Sequence, residues 1–295
     1  MNPIVWYKMT ERSNVLELPY INSRYFRLRL VTNDNLPIQV DFGDGVINNL
    51  TSNISFDFDA GMLRNSAVRI FTPNRITTFN PIIFPQQLPI NWNFSLGVFL
   101  QAKNLVSFDI RSGNIFGNVI NLSRNLQTFQ ILNPSNGVIV GNVEDFPTTI
   151  RNINCTSSNL NFQHTTAEIG TLNNLSAYTV SGISKVTGNI ALLPSNVRTF
   201  VCRNIGARLH ELNYNTTPGS KTWTNNMFSV ILFCADGQGL TTAMIDALLI
   251  DLDASTWDNN GFANITITSG NGVRSSASDA AVASLISKNV TVILN

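Results

Sequence analysis

The sequence predicts a mainly β chain with a few helices: a small β module, a solenoid of stacked repeats, and an α/β cap at the C-terminal end. Three observations predict it. Short runs of alternating apolar and polar side chains are separated by Asn, Gly and Pro. One seven-residue pattern then recurs at a near-constant spacing. Asparagine, with 40 residues, outnumbers the 37 charged residues together. Neutral amides that can ladder by hydrogen bonding suit stacked β architectures better than free-standing helices.

Composition bounds the function. A chain of 295 residues with 43% hydrophobic content can bury a sizeable core as one large domain or two smaller ones. Charged residues make up 13%, and 19 basic against 18 acidic side chains leave a net charge of +1. The clustered basic face of a nucleic-acid binder is missing. Cys155, Cys202 and Cys234 form no CxxC pair, and an odd number argues against a disulfide framework. Each sits among apolar neighbours and reads as a small buried hydrophobe. The opening "MNPIVWYKMTERSN" lacks a basic region followed by an apolar one, as a signal peptide would have. No apolar run is long enough to span a membrane as a helix. Together these features predict a chain made and folded in a reducing cytoplasm, with no membrane insertion.

Residues 1–100 hold the predicted β module. In "RYFRLRLVT" (24–32), Tyr25, Arg27 and Arg29 share one face and Phe26, Leu28 and Leu30 the other, which is a half-buried strand. "IQVDF" repeats the alternation with Ile38, Val40 and Phe42, and "ISFDFD" (54–59) and "AVRIF" (67–71) do so again. Between two of these runs lies "DFGDG" (41–45). Asp-Phe-Gly is a metal-binding triplet in protein kinases, but the Gly-rich loop, strand lysine and catalytic loop that must accompany it are missing. A calcium loop needs further carboxylates at fixed spacing. Asp44-Gly45 is a hairpin dipeptide, so DFGDG reads as a structural turn. This pattern resembles the strand-turn of polycystic-kidney-disease-type and related immunoglobulin-like modules, and is similar to one in bacterial and phage surface proteins that carry leucine-rich repeats. "PIIFPQQLPINWNF" (81–94) has three prolines and no helical period, and ends the module near residue 100.

Residues 101–235 carry the repeat. "NLVSFDI", "NLQTFQI", "TIRNINC", "NLSAYTV" and "NVRTFVC" share one frame: Asn or Thr, apolar, two polar, apolar, polar, apolar. Their first apolar residues, Leu105, Leu126, Ile150, Leu175 and Val197, are separated by 21, 24, 25 and 22. These are expected to lie buried in one row along a parallel ladder, because one such unit cannot bury its apolar face alone. The head asparagines are expected to bond backbone amides along the stack. "IFGNVINL", "IVGNVEDFP" and "VTGNIALLP" supply a second landmark, with glycine allowing a tight bend. The units resemble leucine-rich repeats of an irregular, short type. An aromatic fills one core slot, which favours turns or 3₁₀ segments over a helical convex side. Residues 101–235 are therefore expected to form a leucine-rich-repeat-like solenoid.

Residues 236–295 are expected to continue it as an α/β cap, after the core strand "NMFSVILFC" (226–234). "LTTAMIDALLIDLDAS" places Ala243, Met244, Ala247, Leu248 and Leu252 at helical spacing, with Thr241 or Thr242 as N-cap. "FANITIT" reads as a strand, "SASDAAVASLISK" as a helix and "VTVIL" as a final strand.

No catalytic constellation emerges, and no metal or cofactor site; the chain reads as a non-enzyme. His164 and His210 read as surface or turn histidines, since no GxSxG elbow or paired nucleophile accompanies them. Asp251 and Asp253 read as the solvent face of a helix end. "ADGQGL" (235–240) lacks the Lys-Ser/Thr of a phosphate loop, and Arg274 in "SGNGVRSS" is a lone cation. Trp223, Trp257 and Tyr214 lie in Asn-rich loops, with two readings: an aromatic face beside amides makes a platform for a glycan, or each tryptophan caps the solenoid edge and packs inward. At the other end, Ile4, Val5, Trp6 and Tyr7 form an apolar cluster that suits anchoring to a partner.

The layout ends in "DAAVASLISKNVTVILN", which is similar to the C-terminal ends of leucine-rich-repeat-like virion proteins of tailed phages infecting Bacteroidetes, crAss-like phages included. The resemblance covers about residues 100–295. It implies a structural component of a virion, a tail or head fibre protein with a role in assembly or host-surface attachment. It also implies other virion proteins as partners, self-association as a homotrimer, and a host-surface glycan or protein as ligand. Residues 1–23 would then anchor and the 210–275 loops would face outward. The alternative is a bacterial leucine-rich surface adhesin binding glycan or protein. A glycan depolymerase would need an acid pair in a groove.

Overall fold

The computed structural model describes residues 14–81, 91–111, 113–132, 139–156, 162–181, 184–203, 209–258 and 261–295. Ile4, Val5, Trp6 and Tyr7 lie outside them. The fold is mainly β, with 44% strand against 19% helix, and is organised by one mixed sheet of 13 strands.

Five strands build the N-terminal end: β1 (Val15–Thr32), β2 (Ile38–Asp41), β3 (Ile47–Leu50), β4 (Ser55–Phe71) and β5 (Ile76–Pro81). β1 runs antiparallel to β4 on one edge and to β5 on the other; β2 lies between β4 and β3. The alternating faces are as expected: Phe26, Leu28, Leu30, Ile38, Val40 and Phe42 are all buried. The strands are longer than expected. "RYFRLRLVT" is the second half of an 18-residue strand, whose first half buries Leu16, Leu18 and Tyr20. "ISFDFD" and "AVRIF" are two halves of one 17-residue strand. Between those halves the chain makes an excursion, with Gly61 at φ 76 and its amide held by Asp59 Oδ1 at 2.7 Å. A bulge of this kind adds residues to one strand without ending it. Since β1 begins at Val15, residues 1–23 are not a separable anchor, because the last part of that segment is core sheet.

β5 joins two kinds of pairing. It is antiparallel to β1 and parallel to β6 (Ser107–Ile110), so the sheet runs unbroken through the region of residue 100. From there the ladder is parallel and in chain order: β7 (Thr128–Leu132), β8 (Asn152–Thr156), β9 (Ala177–Val180), β10 (Thr199–Cys202), β11 (Ser229–Phe233), β12 (Asn264–Thr268) and β13 (Thr291–Leu294). Leu105, Leu126, Ile150, Leu175 and Val197 each sit two residues before a strand, and all are 0% exposed. Phe79, Phe108, Phe129, Ile153, Tyr178 and Phe200 occupy one register row inside. Phe108 and Phe129 stack with centroids 5.8 Å apart, and Tyr178 and Phe200 at 5.9 Å. Such pairs add to the stabilisation from buried area.

The head residues tie one turn to the next, but through carbonyls rather than amides. Asn104 Nδ2 donates to Asn74 O (2.7 Å), Asn125 to Lys103 O (3.2 Å) and Asn174 to Thr148 O (2.9 Å); Asn225, one residue before the head of its unit, donates to Asn196 O (2.7 Å). Thr149 does the same with its hydroxyl, to Leu126 O at 2.8 Å. A turn carbonyl points along the stack and needs a donor, which the amide nitrogen of Asn or the hydroxyl of Thr supplies.

The return side uses 3₁₀ turns at Val119–Asn121, Val143–Asp145 and Ile190–Leu192, and a short helix α1 (Thr166–Gly170). In the glycine-asparagine pairs, Asn118 and Asn189 cap the turns by accepting the amides of Ile120 and Ala191. Gly188 has φ 103, and a Cβ there would stand 2.8 Å from Thr166 Oγ1 of the neighbouring turn. The C-terminal end follows expectation: α2 (Thr242–Asp253), capped by Thr241, and α3 (Asp279–Ser287) alternate with β12 and β13.

Candidate functional site

In each unit the two residues after the first apolar position face away from the core. At this position Arg151, Ser176 and Arg198 follow one another on adjacent rungs, linked by Ser176 N–H to Arg151 O (2.8 Å) and Arg198 N–H to Ser176 O (2.7 Å). Two rungs put the arginine backbones roughly 10 Å apart. With the head and turn residues Asn174, Asn196, Thr224, Asn225 and Asn226, they line an open groove of about 650 Å³. No carboxylate lines it, although Asp258, just outside, offsets the charge of Arg198.

The two guanidinium groups are held differently. Arg198 Nε donates to Asn226 O at 2.8 Å, and Nη2 lies 3.3 Å from Asp258 Oδ2. Arg151 is exposed and forms no ion pair among the described residues. Asn174 and Asn225 spend their amide donors on neighbouring turns, which fixes those side chains. Polar side chains with preset orientation lose less entropy on binding a ligand.

The aromatic platform is not formed. Trp223, Trp257 and Tyr214 are 3%, 8% and 2% exposed. Each ring packs inward because its polar neighbours find core partners. Trp257 Nε1 donates to Leu252 O at 2.8 Å, Trp223 N–H to Ser255 Oγ at 3.2 Å, and the Tyr214 hydroxyl to Asp251. Asp251 is therefore not on a solvent face. It is 0% exposed, accepts from Tyr214 and from the Gly219 amide, and ties the loop before β11 to α2. Burial, followed by that hydrogen bond, raises the Tyr214 hydroxyl far above its usual range. Asp253 pairs with Lys288 at 2.6 Å.

Both histidines are buried rather than on the surface, at 2% and 0% exposure. His164 stacks on Phe162, with Nε2 2.9 Å from Gly141 O and Nδ1 2.8 Å from the Tyr178 hydroxyl. The carbonyl can only accept, so Nε2 carries the proton and Nδ1 accepts from Tyr178. Burial lowers its pKa. His210 Nδ1 accepts the Val186 amide at 3.1 Å, and burial pushes its pKa down to about 4. Both work as neutral hydrogen-bonding groups between turns.

Asp41 ends β2 and pairs with Ile47, so the loop between β2 and β3 is the five residues 42–46 rather than a two-residue turn at Asp44-Gly45. Asp41 organises it. Its Oδ1 accepts the amides of Gly43 (2.8 Å), Asp44 (3.2 Å) and Gly45 (3.0 Å), and its Oδ2 lies 3.3 Å from Arg69. Burial works against the carboxylate charge, but those amides and Arg69 outweigh it and the pKa is lowered. The loop is built around its own carboxylate. The two glycine-rich stretches near the C-terminal end pack on each other: Asn271 Oδ1 accepts the Leu240 amide at 2.9 Å, and its Nδ2 donates to Thr268 O at 2.6 Å. Arg274 is paired with Asp279. Among the described residues no cluster of three or more His, Cys, Asp or Glu could hold a metal.

Sequence reasoning missed Arg151 and Arg198. The signal was positional: they occupy the same slot of units two apart in the repeat. Comparison with protein-family models, with curated proteins and with solved structures finds no significant match to this chain.

Proposed function

We propose that this chain is a non-catalytic virion component of a tailed phage, of tail or head fibre type, that contacts a surface through the groove at Arg151 and Arg198. In this reading the ladder from β5 to β13 is an irregular leucine-rich-repeat-like solenoid, with a β module before it and an α/β cap after it. The observation that carries the reading is the series of side-chain donors Asn104, Asn125, Thr149, Asn174 and Asn225, each bonded to a backbone carbonyl of the turn before it. That is how a quasi-one-dimensional scaffold is stabilised, by nearest-neighbour contacts. Such a scaffold presents the outward face of its strands as an extended binding surface.

The virion part of the reading rests on the resemblance of the repeats, the FGDG turn and the C-terminal stretch to phage proteins. Its partners are other virion subunits or further copies in a trimer. The anchoring role moves to residues 1–13, which include Ile4, Val5, Trp6 and Tyr7, because Val15 onward is sheet. A mass-spectrometric inventory of purified virions from the source tests this. The chain is expected among the stoichiometric proteins. Its absence there, together with labelling on intact bacterial cells by a membrane-impermeant reagent, would replace the virion reading with a bacterial surface adhesin.

A further inference from the structure

We infer that the groove between Arg151 and Arg198 binds an acidic oligosaccharide, with the Arg151 guanidinium receiving a carboxylate of the sugar chain. The inference deepens the proposed surface-binding role and rests on it.

Charge comes first. Arg151 is exposed and has no ion pair among the described residues, and no Asp or Glu lines the groove. The chain as a whole carries +1, so the positive field here is local rather than the edge of a general basic surface. A guanidinium presents a planar fork that meets a carboxylate with two hydrogen bonds. The second guanidinium, on Arg198, is fixed in place by Asn226 O and Asp258. With the two backbones roughly 10 Å apart, the pair suits anionic groups repeated along an extended chain.

The rest of the lining chooses among polyanions. Asn196 and Asn226 offer amides and Ser176 a hydroxyl, while Thr224 Oγ1 donates to Ser195 O at 3.3 Å and is left to accept. An amide presents a donor and an acceptor side by side, which matches neighbouring sugar hydroxyls. No aromatic side chain lines the groove, so it offers no stacking platform for nucleobases. No apolar side chain lines it either, which disfavours a peptide whose side chains need burial.

The test uses the purified full chain and isothermal titration calorimetry. Tetragalacturonate is the probe, maltotetraose the neutral sugar of equal length, and tetraglutamate the acidic peptide. Tetragalacturonate is expected to bind at least tenfold more tightly than either control, and more weakly as salt rises. Arg151→Gln is expected to lower that affinity about tenfold with an unchanged melting temperature, since the Arg151 side chain makes no ion pair or hydrogen bond among the described residues. Arg151→Lys is expected to retain part of the affinity. Equal binding of maltotetraose, equal binding of tetraglutamate, no binding of tetragalacturonate, or an unaltered affinity in Arg151→Gln would each overturn the inference. The virion inventory reads independently. A chain absent from virions that still binds tetragalacturonate through Arg151 defeats the proposed location alone; a virion chain that fails the titration defeats the ligand alone.

Discussion

Replacing Leu126 by Ala tests the ladder most directly. Leu126 is 0% exposed, and stands between Leu105 and Ile150 in the row that precedes the strands. The substitution removes three carbons from a closed interior. At about 0.8 kcal/mol per methylene the transfer loss is about 2.4 kcal/mol. The rungs on both sides are fixed by backbone bonds from Gln127 to Val106 and from Arg151 to Gln127. The site therefore cannot collapse far, and the residual cavity raises the cost toward about 4 kcal/mol. Leu192 is the control. It lies on the return side at 52% exposure, so the same change there should cost about 1 kcal/mol or less. Urea unfolding of wild type and both variants, followed by circular dichroism, measures the difference. Stability losses within about 0.5 kcal/mol of each other would refute a shared buried row. A changed slope in one variant alone would show that the ladder does not unfold as one unit.

Four further outcomes follow from the structure. Asp41→Ala should destabilise by about 1–3 kcal/mol, because three amides lose one acceptor. Asp44→Asn should be nearly neutral in thermal unfolding, and calorimetry should find no calcium or magnesium affinity for it to abolish. His210 has its folded pKa near 4, below the ordinary value of 6.5, so the unfolded chain takes up its proton first as pH falls. Its contribution is complete above pH 6.5 and is lost between there and pH 4, about 3 kcal/mol at most. His210→Asn keeps an acceptor for the Val186 amide and should flatten that part of the pH–stability curve. The thiols of Cys155, Cys202 and Cys234 are buried, and burial raises the pKa of each. An aromatic disulfide reagent should therefore react only at the rate of unfolding.

The parts of the fold legible in the sequence were those set by period. The leucine row and the alternating faces of β1 and β2 follow from side-chain spacing alone. The lengths of β1 and β4 did not, because Asn22 and Gly61 look like strand breakers and instead sit at bulges, at φ 49 and φ 76. Trp223 and Trp257 misled for the opposite reason. Their polar sequence neighbours suggested solvent, yet the rings fill the seam against α2. Asp251 was readable by phase, being three residues after Leu248 and adjacent to Leu252 on the buried side of α2, but a charged residue there suggested exposure. Its burial depends on the Tyr214 hydroxyl, which only tertiary structure supplies. The groove escaped because it is assembled from one to three residues of each of four units, none of them unusual alone.

The two-sided pairing of β5 bears on how the chain acquires its structure. Upstream, β1 to β4 close on one another, so the N-terminal end can form a nucleus from its own residues. Downstream, each new strand pairs with the one a few tens of residues before it, at nearly the same loop-closure entropy every time. Synthesis proceeds from the N-terminus, so β5 emerges from the ribosome already backed by β1, with one free edge. β6 can dock on it as soon as it is made, and each later unit finds a finished surface waiting. Growth of this kind is vectorial, and never needs the end of the chain to organise the beginning. A break at an early rung would therefore stall everything after it, while a break near β13 would leave most of the structure standing.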